Sequence, residues 1–335
     1  MEPSHAAPEH PSQRLTREID ITSLFAESGL RKRANVMLND NTYEIDPSDV
    51  KNSWTYLAFM GFKAAREEKA DVGTFVSVGT GPGIDGIGAN EIFRPRSLVL
   101  TDIHKKVLPV AEMNFLNNLG RVKPDVFRVL HGNLCEPLAG RGIKADILYA
   151  NLPNLPFHGR DIFGGINTAS FFSERPAKVP REFRERLLAL QHAFLLGGQK
   201  QLADGGLLLL NVGGRMPFRV IERLFESAGL SILRIVTLLK LQSEADVILK
   251  GYSDAEKKYG VEFDFYPYDE AVRSAPKLAF DAHSQRAALG HCRLSATDAY
   301  GAWKRGAKIA HLAHLVIAEK SRGKALPPFA SRAIR

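Results

Sequence analysis

Residues 146–157 read DILYANLPNLPF and place two asparagines directly after a short apolar run. The apolar run has the composition of a buried strand, whereas Pro153 and Pro156 exclude a helix and remove backbone hydrogen-bond donors. Amide oxygens on such a rigid tip can accept hydrogen bonds from a ligand nitrogen. Asn151 and Asn154 are therefore candidate site residues, unless they only cap a turn.

A glycine-rich segment at 75–88, FVSVGTGPGIDGIG, lies between a predicted strand and a predicted helix. Gly79, Gly81 and Gly83 would let the backbone turn tightly and approach a ligand closely. Asp102 ends the next predicted strand about 20 residues later, where a carboxylate can accept both hydroxyls of a ribose. The two features together predict a nucleoside-like ligand; the alternative is an ordinary glycine turn and a solvent-exposed aspartate.

The glycine spacing GTGPG resembles motif I of class I S-adenosylmethionine-dependent methyltransferases. The dinucleotide fingerprint differs, because it has two residues between its second and third glycines. The resemblance implies S-adenosyl-L-methionine as cofactor and S-adenosyl-L-homocysteine as product, with Ile103, Asn133 and Leu134 in the cofactor site. Two positions depart from the family: Asn133 stands where an acidic residue often holds the adenine amine, and Ser77 replaces the acidic residue common before the glycines.

The NLPN tip at 151–154 resembles the Asn-Pro-Pro-Tyr motif of amino-group methyltransferases, which include the release-factor glutamine methyltransferases. The resemblance implies that Asn151 accepts a hydrogen bond from the nucleophilic nitrogen and contacts both cofactor and substrate. Asn154 stands where the motif has an aromatic residue, which argues against a stacked nucleobase. Both asparagines are predicted catalytic residues.

Further segments extend the resemblance over about residues 50–318. WTYLAF at 54–59, GGLLLLNVGGRMPFRVIERLFESAGL from 205, LQSEADVIL after it, and the stretch from Cys292 are similar to the catalytic domain of plant methionine S-methyltransferases. Bacterial free-arginine N-methyltransferases, which feed nitrosourea-type natural products, resemble the same group. The resemblance implies a free amino acid as substrate. Because a guanidino nitrogen offers hydrogens to the amides and a thioether does not, L-arginine is the first candidate.

Five residues are candidate substrate contacts. Arg215 follows two glycines at a strand end, where a guanidinium can hold a carboxylate through two hydrogen bonds. Asp246, next to a predicted strand start, could hold an ammonium or guanidinium, and Tyr56 could close over the ligand. Asp161 and Glu174 follow the NLPN tip, and Glu174 is the predicted catalytic carboxylate that takes the substrate proton. Each could instead serve only the fold, as a loop arginine, an ion pair or a packed ring.

Two other functions remain open at this point. The chain could methylate a protein glutamine, as the release-factor enzymes do. It could also bind the cofactor without turnover, because Ser77 and Asn133 depart from the family pattern.

Alternating apolar runs and helical periodicities predict an α/β, Rossmann-like fold with a mostly parallel seven-stranded sheet. The predicted parallel strands are Thr74–Val78, Ser97–Thr101, Val126–His131, Asp146–Ala150 and Gly206–Val212. Ser231–Leu239 and Asp246–Lys250 are predicted to form a terminal antiparallel hairpin. The predicted divisions are a disordered tail (1–15), an N-terminal helical cap (16–72), the methyltransferase core (73–252) and a C-terminal addition (253–335) with Trp303, Ala307 and Ala310 on one helical face.

Composition narrows the expected partners. The 335 residues carry a formal net charge of +8, but the basic residues are dispersed and not interleaved with aromatics, which argues against nucleic acid. There is no apolar run of membrane-spanning length, and the first residues lack the apolar core of a secretory signal, so neither a membrane span nor such a signal is expected. The two cysteines show no metal-ligand spacing and fit a reducing cytoplasm. A small amino-acid substrate and no metal are expected, and a homodimer is left open.

Overall fold

The computed structural model describes residues 17–39, 42, 45–120, 122–154 and 179–321. The strands are β1 (Arg17–Asp20), β2 (Asn35–Leu38), β3 (Thr74–Val78), β4 (Ser97–Asp102), β5 (Val126–His131), β6 (Ala145–Asn151), β7 (Leu202–Gly213), β8 (Leu230–Leu241), β9 (Tyr266–Pro267), β10 (Leu278–Ala279) and β11 (Ile309–Lys320). The helices are α1 (Thr22–Glu27), α2 (Trp54–Glu68), α3 (Ile84–Phe93), α4 (Leu108–Asn117), α5 (Glu136–Ala139), α6 (Arg181–Glu185), α7 (Ala189–Gly198), α8 (Phe218–Glu226), α9 (Ala245–Tyr259), α10 (Tyr268–Ser274), α11 (Ala282–Leu289) and α12 (Ala296–Lys304).

One large sheet runs in the order β10-β8-β11-β7-β6-β3-β4-β5, with β9 paired to β11. The pairs β5–β4, β4–β3, β3–β6 and β6–β7 are parallel, and β11 is antiparallel to both of its long neighbours, β7 and β8. The predicted Rossmann-like, mostly parallel sheet is therefore confirmed. The described chain adds β9 and β10, of two residues each, to seven longer strands of this sheet.

Alternate residues of the central strands pack on opposite faces of the sheet, as the two-residue period of a strand requires. Ile147 and Tyr149 of β6 join the apolar layer that contains α2 and α3, whereas Leu148 and Ala150 join the layer that contains α7, α8 and α9. The nearly continuous apolar composition of β6 follows from burial on both faces. In the part of the chain that the structure describes, no helix is long and apolar enough to cross a bilayer.

The prediction for the antiparallel end of the sheet is wrong. β8 pairs with β11, and residues 246–250 lie in α9 instead of a strand. Ala310 is in β11 and not on a helix with Trp303, because α12 ends at Lys304. The segment that we expected to lie beyond the core therefore supplies a central strand. Pairing with a partner this far along the chain leaves no local signal in either segment.

The N-terminal segment was expected to be helical but also contains an antiparallel pair, β1 with β2. Its long helix, α2, packs closely against α3. A Cβ atom on Gly88 of α3 would lie 2.0 Å from the Phe59 ring of α2, so only glycine permits this approach. The contact holds the middle of α3 against α2, and α3 directly follows the glycine-rich turn.

The strand order reverses between β3 and β6, whose carboxyl ends carry the glycine turn and the NLPN tip. A doubly wound sheet binds ligands at this reversal, in the crevice beyond the carboxyl ends of the strands. The fold thus brings the two most specific sequence motifs together, although five elements, α3, β4, α4, β5 and α5, separate the strands that carry them.

Candidate active site

A cavity of about 180 Å³ lies at the carboxyl ends of the parallel strands. It is lined by many of the residues that the sequence singled out: Gly79, Gly81, Asp102, Ile103, Asn133, Leu134, Asn151, Asn154 and Arg215. It also contains polar residues that sequence reasoning missed: Asp85, Asn211, Lys240, Gln242 and Glu244.

The glycine turn is left-handed at three positions, with φ of +69° at Gly79, +51° at Gly81 and +82° at Gly83. Gly83 serves the fold, because a Cβ atom there would lie 2.9 Å from the backbone oxygen of Ala111. It does not line the cavity. Gly81 does, and a Cβ atom at Gly81 would meet no protein atom within 4 Å. The space beside Gly81 is therefore available to a ligand.

Asp102 is fixed beside this turn at the end of β4. Its Oδ2 accepts a hydrogen bond from the backbone N–H of Gly81 at 3.0 Å, and its Oδ1 accepts one from the N–H of His104 at 2.9 Å. Burial raises the pKa of the Asp102 carboxyl, and these N–H groups oppose the rise. Each carboxylate oxygen retains acceptor capacity, so the group can receive ribose hydroxyls. Together with the open space at Gly81, this arrangement fits a nucleoside ligand.

The NLPN tip is held from the adjacent helix. Gln191 of α7 is fully buried, and its Nε2 donates hydrogen bonds to the backbone oxygens of Leu152 at 3.1 Å and Pro153 at 2.9 Å. The rigidity of the tip therefore comes from α7 as well as from the prolines. Sequence reasoning missed Gln191, because a single glutamine in a helix carries no positional signal.

The two asparagines of the tip differ in what they contact. The Asn154 side chain donates to the backbone oxygen of Leu187 at 2.9 Å, and the Tyr252 hydroxyl donates to the backbone oxygen of Asn154 at 2.6 Å and to its Oδ1 at 3.3 Å. Both ends of this amide are thus used by the fold. The Asn151 side chain has no such bond to the described residues and is half-buried at the cavity. Asn151 is the amide that is available to a ligand.

Two buried cations, Arg215 and Lys240, line the same cavity. They are 3% and 2% exposed, and neither forms an ion pair within the described ranges. Lys240 donates to the backbone oxygen of Asn52, and its Nζ lies 5.9 Å from the centroid of the Trp54 ring. Burial, and then the charge of Arg215, lower the pKa of Lys240 to about 7. A buried charge without a counter-ion is costly, so this end of the cavity favours an anionic ligand.

Arg215 is oriented by neutral groups. Its Nε donates to Oε1 of Gln242 at 3.1 Å, its Nη2 donates to Nε2 of His311 at 2.9 Å, and its guanidinium carbon lies 5.3 Å from the centroid of the Tyr252 ring. Because a guanidinium only donates, Nε2 of His311 must accept, which puts the ring proton on Nδ1. Burial and the charge of Arg215 lower the pKa of His311 well below its usual value, so the ring stays neutral.

Tyr56 and Asp246 are not in the cavity, and the residues two positions before them are. Tyr56 is buried within α2, whereas Trp54 at the start of that helix lines the cavity. Asp246 is exposed in the first turn of α9, and Glu244, with φ of +49°, lines the cavity. The prediction that Asp246 borders a strand is wrong, because residues 246–250 lie in α9.

The other two predicted carboxylates, Asp161 and Glu174, lie outside the described residues.

No protein-family model matches this chain, and a search of the curated proteins found no match. Its fold is similar to that of the ribosomal protein L11 methylase of Lactobacillus delbrueckii subsp. bulgaricus, with 19% identity, 57% of this chain and 76% of that chain covered, and a TM-score of 0.38. It is similar to a protein of Bacillus halodurans C-125 to which methyltransferase activity is attributed (12% identity, 78% and 98% covered, TM-score 0.42). It is also similar to the precorrin-6y C5,15-methyltransferase of Geobacter metallireducens GS-15 (9% identity, 78% of this chain and 86% of that chain covered, TM-score 0.35). These similarities are weak, and the strand order of the chain itself establishes the Rossmann-like fold.

Proposed function

We propose that this chain is an S-adenosylmethionine-dependent N-methyltransferase that acts on a free amino acid, with the guanidino group of L-arginine as the first candidate acceptor. One observation carries the proposal. A single cavity joins a nucleoside-type site, Gly81 with Asp102, to two buried cations without counter-ions in the described chain, Arg215 and Lys240. The first half fits an adenosyl cofactor, and the second half fits the carboxylate that every free amino acid carries.

The cofactor half consists of backbone and acceptor groups. Gly79 and Gly81 leave room for the ligand at the turn, Asp102 accepts the ribose hydroxyls, and the Asn133 amide accepts a hydrogen bond from the adenine amine. When bound, the cofactor supplies a methyl group on a sulfonium. The contribution of the chain is to hold the acceptor in line with that methyl group, because positioning is the main requirement of such a transfer.

The substrate half places charge and hydrogen-bond acceptors at opposite ends of the ligand. Arg215 and Lys240 hold the carboxylate, and the Asn151 oxygen accepts a hydrogen bond from the reacting nitrogen and directs its lone pair. A guanidinium has a pKa above about 12, so its proton leaves as the methyl group arrives. Glu244 is a carboxylate of the described chain within the cavity that can take this proton, beside the sequence candidate Glu174.

The direct test is a turnover assay. Purified protein with S-adenosylmethionine is incubated with each proteinogenic amino acid and with a glutamine-containing release-factor peptide, and the products are analysed by mass spectrometry. A free amino acid heavier by one CH₂ group, arginine first, is the expected product. Turnover of the peptide alone would favour the protein-glutamine alternative. S-adenosylhomocysteine binding without any methylated product would favour a binding protein.

Lys240 predicts how carboxylate binding depends on pH. The pKa of its amine is lowered to about 7, first by burial and then by the charge of Arg215; the charge of Asp49 raises it and that of Lys277 lowers it. Only the protonated amine attracts a carboxylate by charge. The affinity for pentanoate, a carboxylate without a cationic group, should therefore be highest below pH 7 and fall as the pH rises through about 7. NMR titrations across that range measure the change.

The control for this titration is Lys240→Met. In this variant Arg215 remains charged throughout, so the pentanoate affinity should be weaker and should fall less with rising pH than in the wild type; the remaining fall comes from ionisation of Asp85, whose pKa is also about 7. A wild-type affinity that stays constant or rises with pH would contradict a role for the Lys240 charge.

A further inference from the structure

We propose that Asp85 and Asn211 form a second subsite in this cavity, which binds a cationic nitrogen group, an ammonium or a guanidinium. This proposal rests on the proposed function, because the candidate ligands of the subsite are the cofactor and the free amino acid. No sequence motif pointed to it. Asp85 is a lone acid in the glycine-rich segment, and Asn211 is a lone amide at the end of the apolar run LLLL.

Asn211 lines the cavity and carries an unused acceptor. It is fully buried in β7, where it pairs with Asn151 of β6. Its Nδ2 donates to the backbone oxygen of Trp54 at 3.2 Å and to the Tyr149 hydroxyl oxygen at 3.1 Å. Those two bonds fix the amide orientation, so Oδ1 is the atom left over. Oδ1 has no hydrogen-bond partner in the described chain.

Asp85 presents a second unused acceptor. It lies in the first turn of α3, is 9% exposed and lines the cavity. A hydrogen bond joins its carboxyl to the Tyr149 hydroxyl, yet its Oδ1 is buried without a partner among the described residues. The Tyr149 oxygen accepts from Asn211, so its single proton is free to go to Asp85. Asp85 and Asn211 are thus each one hydrogen bond away from the same phenolic oxygen.

The charge balance calls for a cation from outside the protein. Asp85 forms no ion pair with any described side chain, and the cations of the cavity, Arg215 and Lys240, bond to neutral groups instead. Burial therefore raises the pKa of the Asp85 carboxyl to about 7, against the hydrogen bond from Tyr149. A ligand cation would satisfy the ionised carboxylate and the Asn211 oxygen at once.

Two ligands of the proposed function carry such a group. The cofactor has an ammonium on its methionine part, and arginine has an ammonium and a guanidinium. The chemistry is the same, and matched ligands separate the sources. The deaminated analogue of S-adenosylhomocysteine lacks its ammonium but keeps its carboxylate, citrulline lacks the guanidinium charge of arginine, and 5-guanidinopentanoate lacks the ammonium of arginine.

The test is calorimetric binding of these ligands to the wild type and to Asp85→Asn, which keeps the shape and removes the charge. The variant should lose about 10- to 100-fold in affinity for the ligand whose cation it binds. Its affinity for the matched ligand without that cation should not change. A loss confined to S-adenosylhomocysteine assigns the subsite to the cofactor, and a loss confined to arginine assigns it to the substrate.

Melting temperatures show whether Asp85→Asn folds, which separates a lost contact with the ligand from a loss of structure. A neutral amide avoids the cost of a buried carboxylate, so unliganded Asp85→Asn should melt at or above the wild-type temperature. If it does not fold, Tyr149→Phe, which removes the hydroxyl that orients Asp85, should show the same ligand pattern with a smaller loss. Asp71→Asn, at an exposed aspartate outside the cavity, is the matched control.

The proposal is overturned if Asp85→Asn binds S-adenosylhomocysteine, and every amino acid that binds the wild type, with unchanged affinity. An equal loss for all ligands, charged and neutral, would also overturn it, because it would indicate a structural role. The measurement with S-adenosylhomocysteine does not need an amino-acid substrate. If arginine is not the substrate, that measurement still tests whether Asp85 binds the ammonium of the cofactor.

Discussion

Arg215→Gln is expected to raise the KM for the free amino-acid substrate by about two to three orders of magnitude. Arg215 is the buried guanidinium whose contacts in the described chain are all neutral, so a substrate carboxylate would be its counter-ion. Removal of one partner from a buried charge pair costs more than removal of an exposed charge, because the remaining charge stays desolvated. Steady-state kinetics with varied amino acid measure the change.

The affinity for S-adenosylhomocysteine should remain near the wild-type value in Arg215→Gln, since the cofactor half of the cavity is formed by other residues. Arg219→Gln is the matched control, because Arg219 is an exposed arginine in the helix that follows. A KM that is equally insensitive to both substitutions would contradict carboxylate binding at Arg215.

The substrate itself offers an independent check of the same contact. Argininamide has the side chain of arginine but no carboxylate. The wild type should therefore discriminate strongly between the two, and Arg215→Gln should not. Loss of this discrimination distinguishes a missing ion pair from a general disturbance of the cavity, which would weaken both substrates alike.

The parts of the site that sequence reasoning predicted are those formed by contiguous residues at strand ends. Gly79, Gly81, Asp102 and Asn151 each follow directly from an apolar run, and parallel strands bring their carboxyl ends to one edge. Such motifs can be recognised without knowing which distant strands pair with each other. The same holds for the bounds of β3 and β5, which match the prediction.

The parts that were missed depend on contacts between distant segments. Lys240 reaches the cavity from β8, and His311 meets Arg215 only because β11 enters the sheet between β7 and β8. Nothing near residue 240 indicates that insertion. Glu244 enters the cavity through a left-handed backbone turn. The sequence does not predict this turn, because the residue is not a glycine. The signal that could have been read is a lone polar residue, which is Asp85 in the glycine-rich segment and Asn211 after the apolar run LLLL.

Asn151→Ala is expected to lower kcat by about 100-fold while the affinity for S-adenosylhomocysteine changes little. The Asn151 amide has no hydrogen bond to the described chain, so its loss leaves no protein group unsatisfied. What it would remove is the acceptor that directs the nucleophilic nitrogen. Single-turnover kinetics and calorimetry, performed on the same preparation, separate the two quantities. An equal fall in turnover and in cofactor affinity would contradict the positioning role.

Asn154→Ala supplies the contrast that gives this result its meaning. The Asn154 amide bonds to Leu187 and receives the Tyr252 hydroxyl, so its removal leaves buried groups unpaired and should lower the free energy of unfolding by about 1–3 kcal/mol. Its activity should fall through displacement of the tip, together with cofactor affinity and melting temperature. Asn151→Ala should instead keep the wild-type melting temperature. If the two variants behaved alike, the tip would act as one structural unit, and the acceptor for the substrate nitrogen would have to be sought at Asn211.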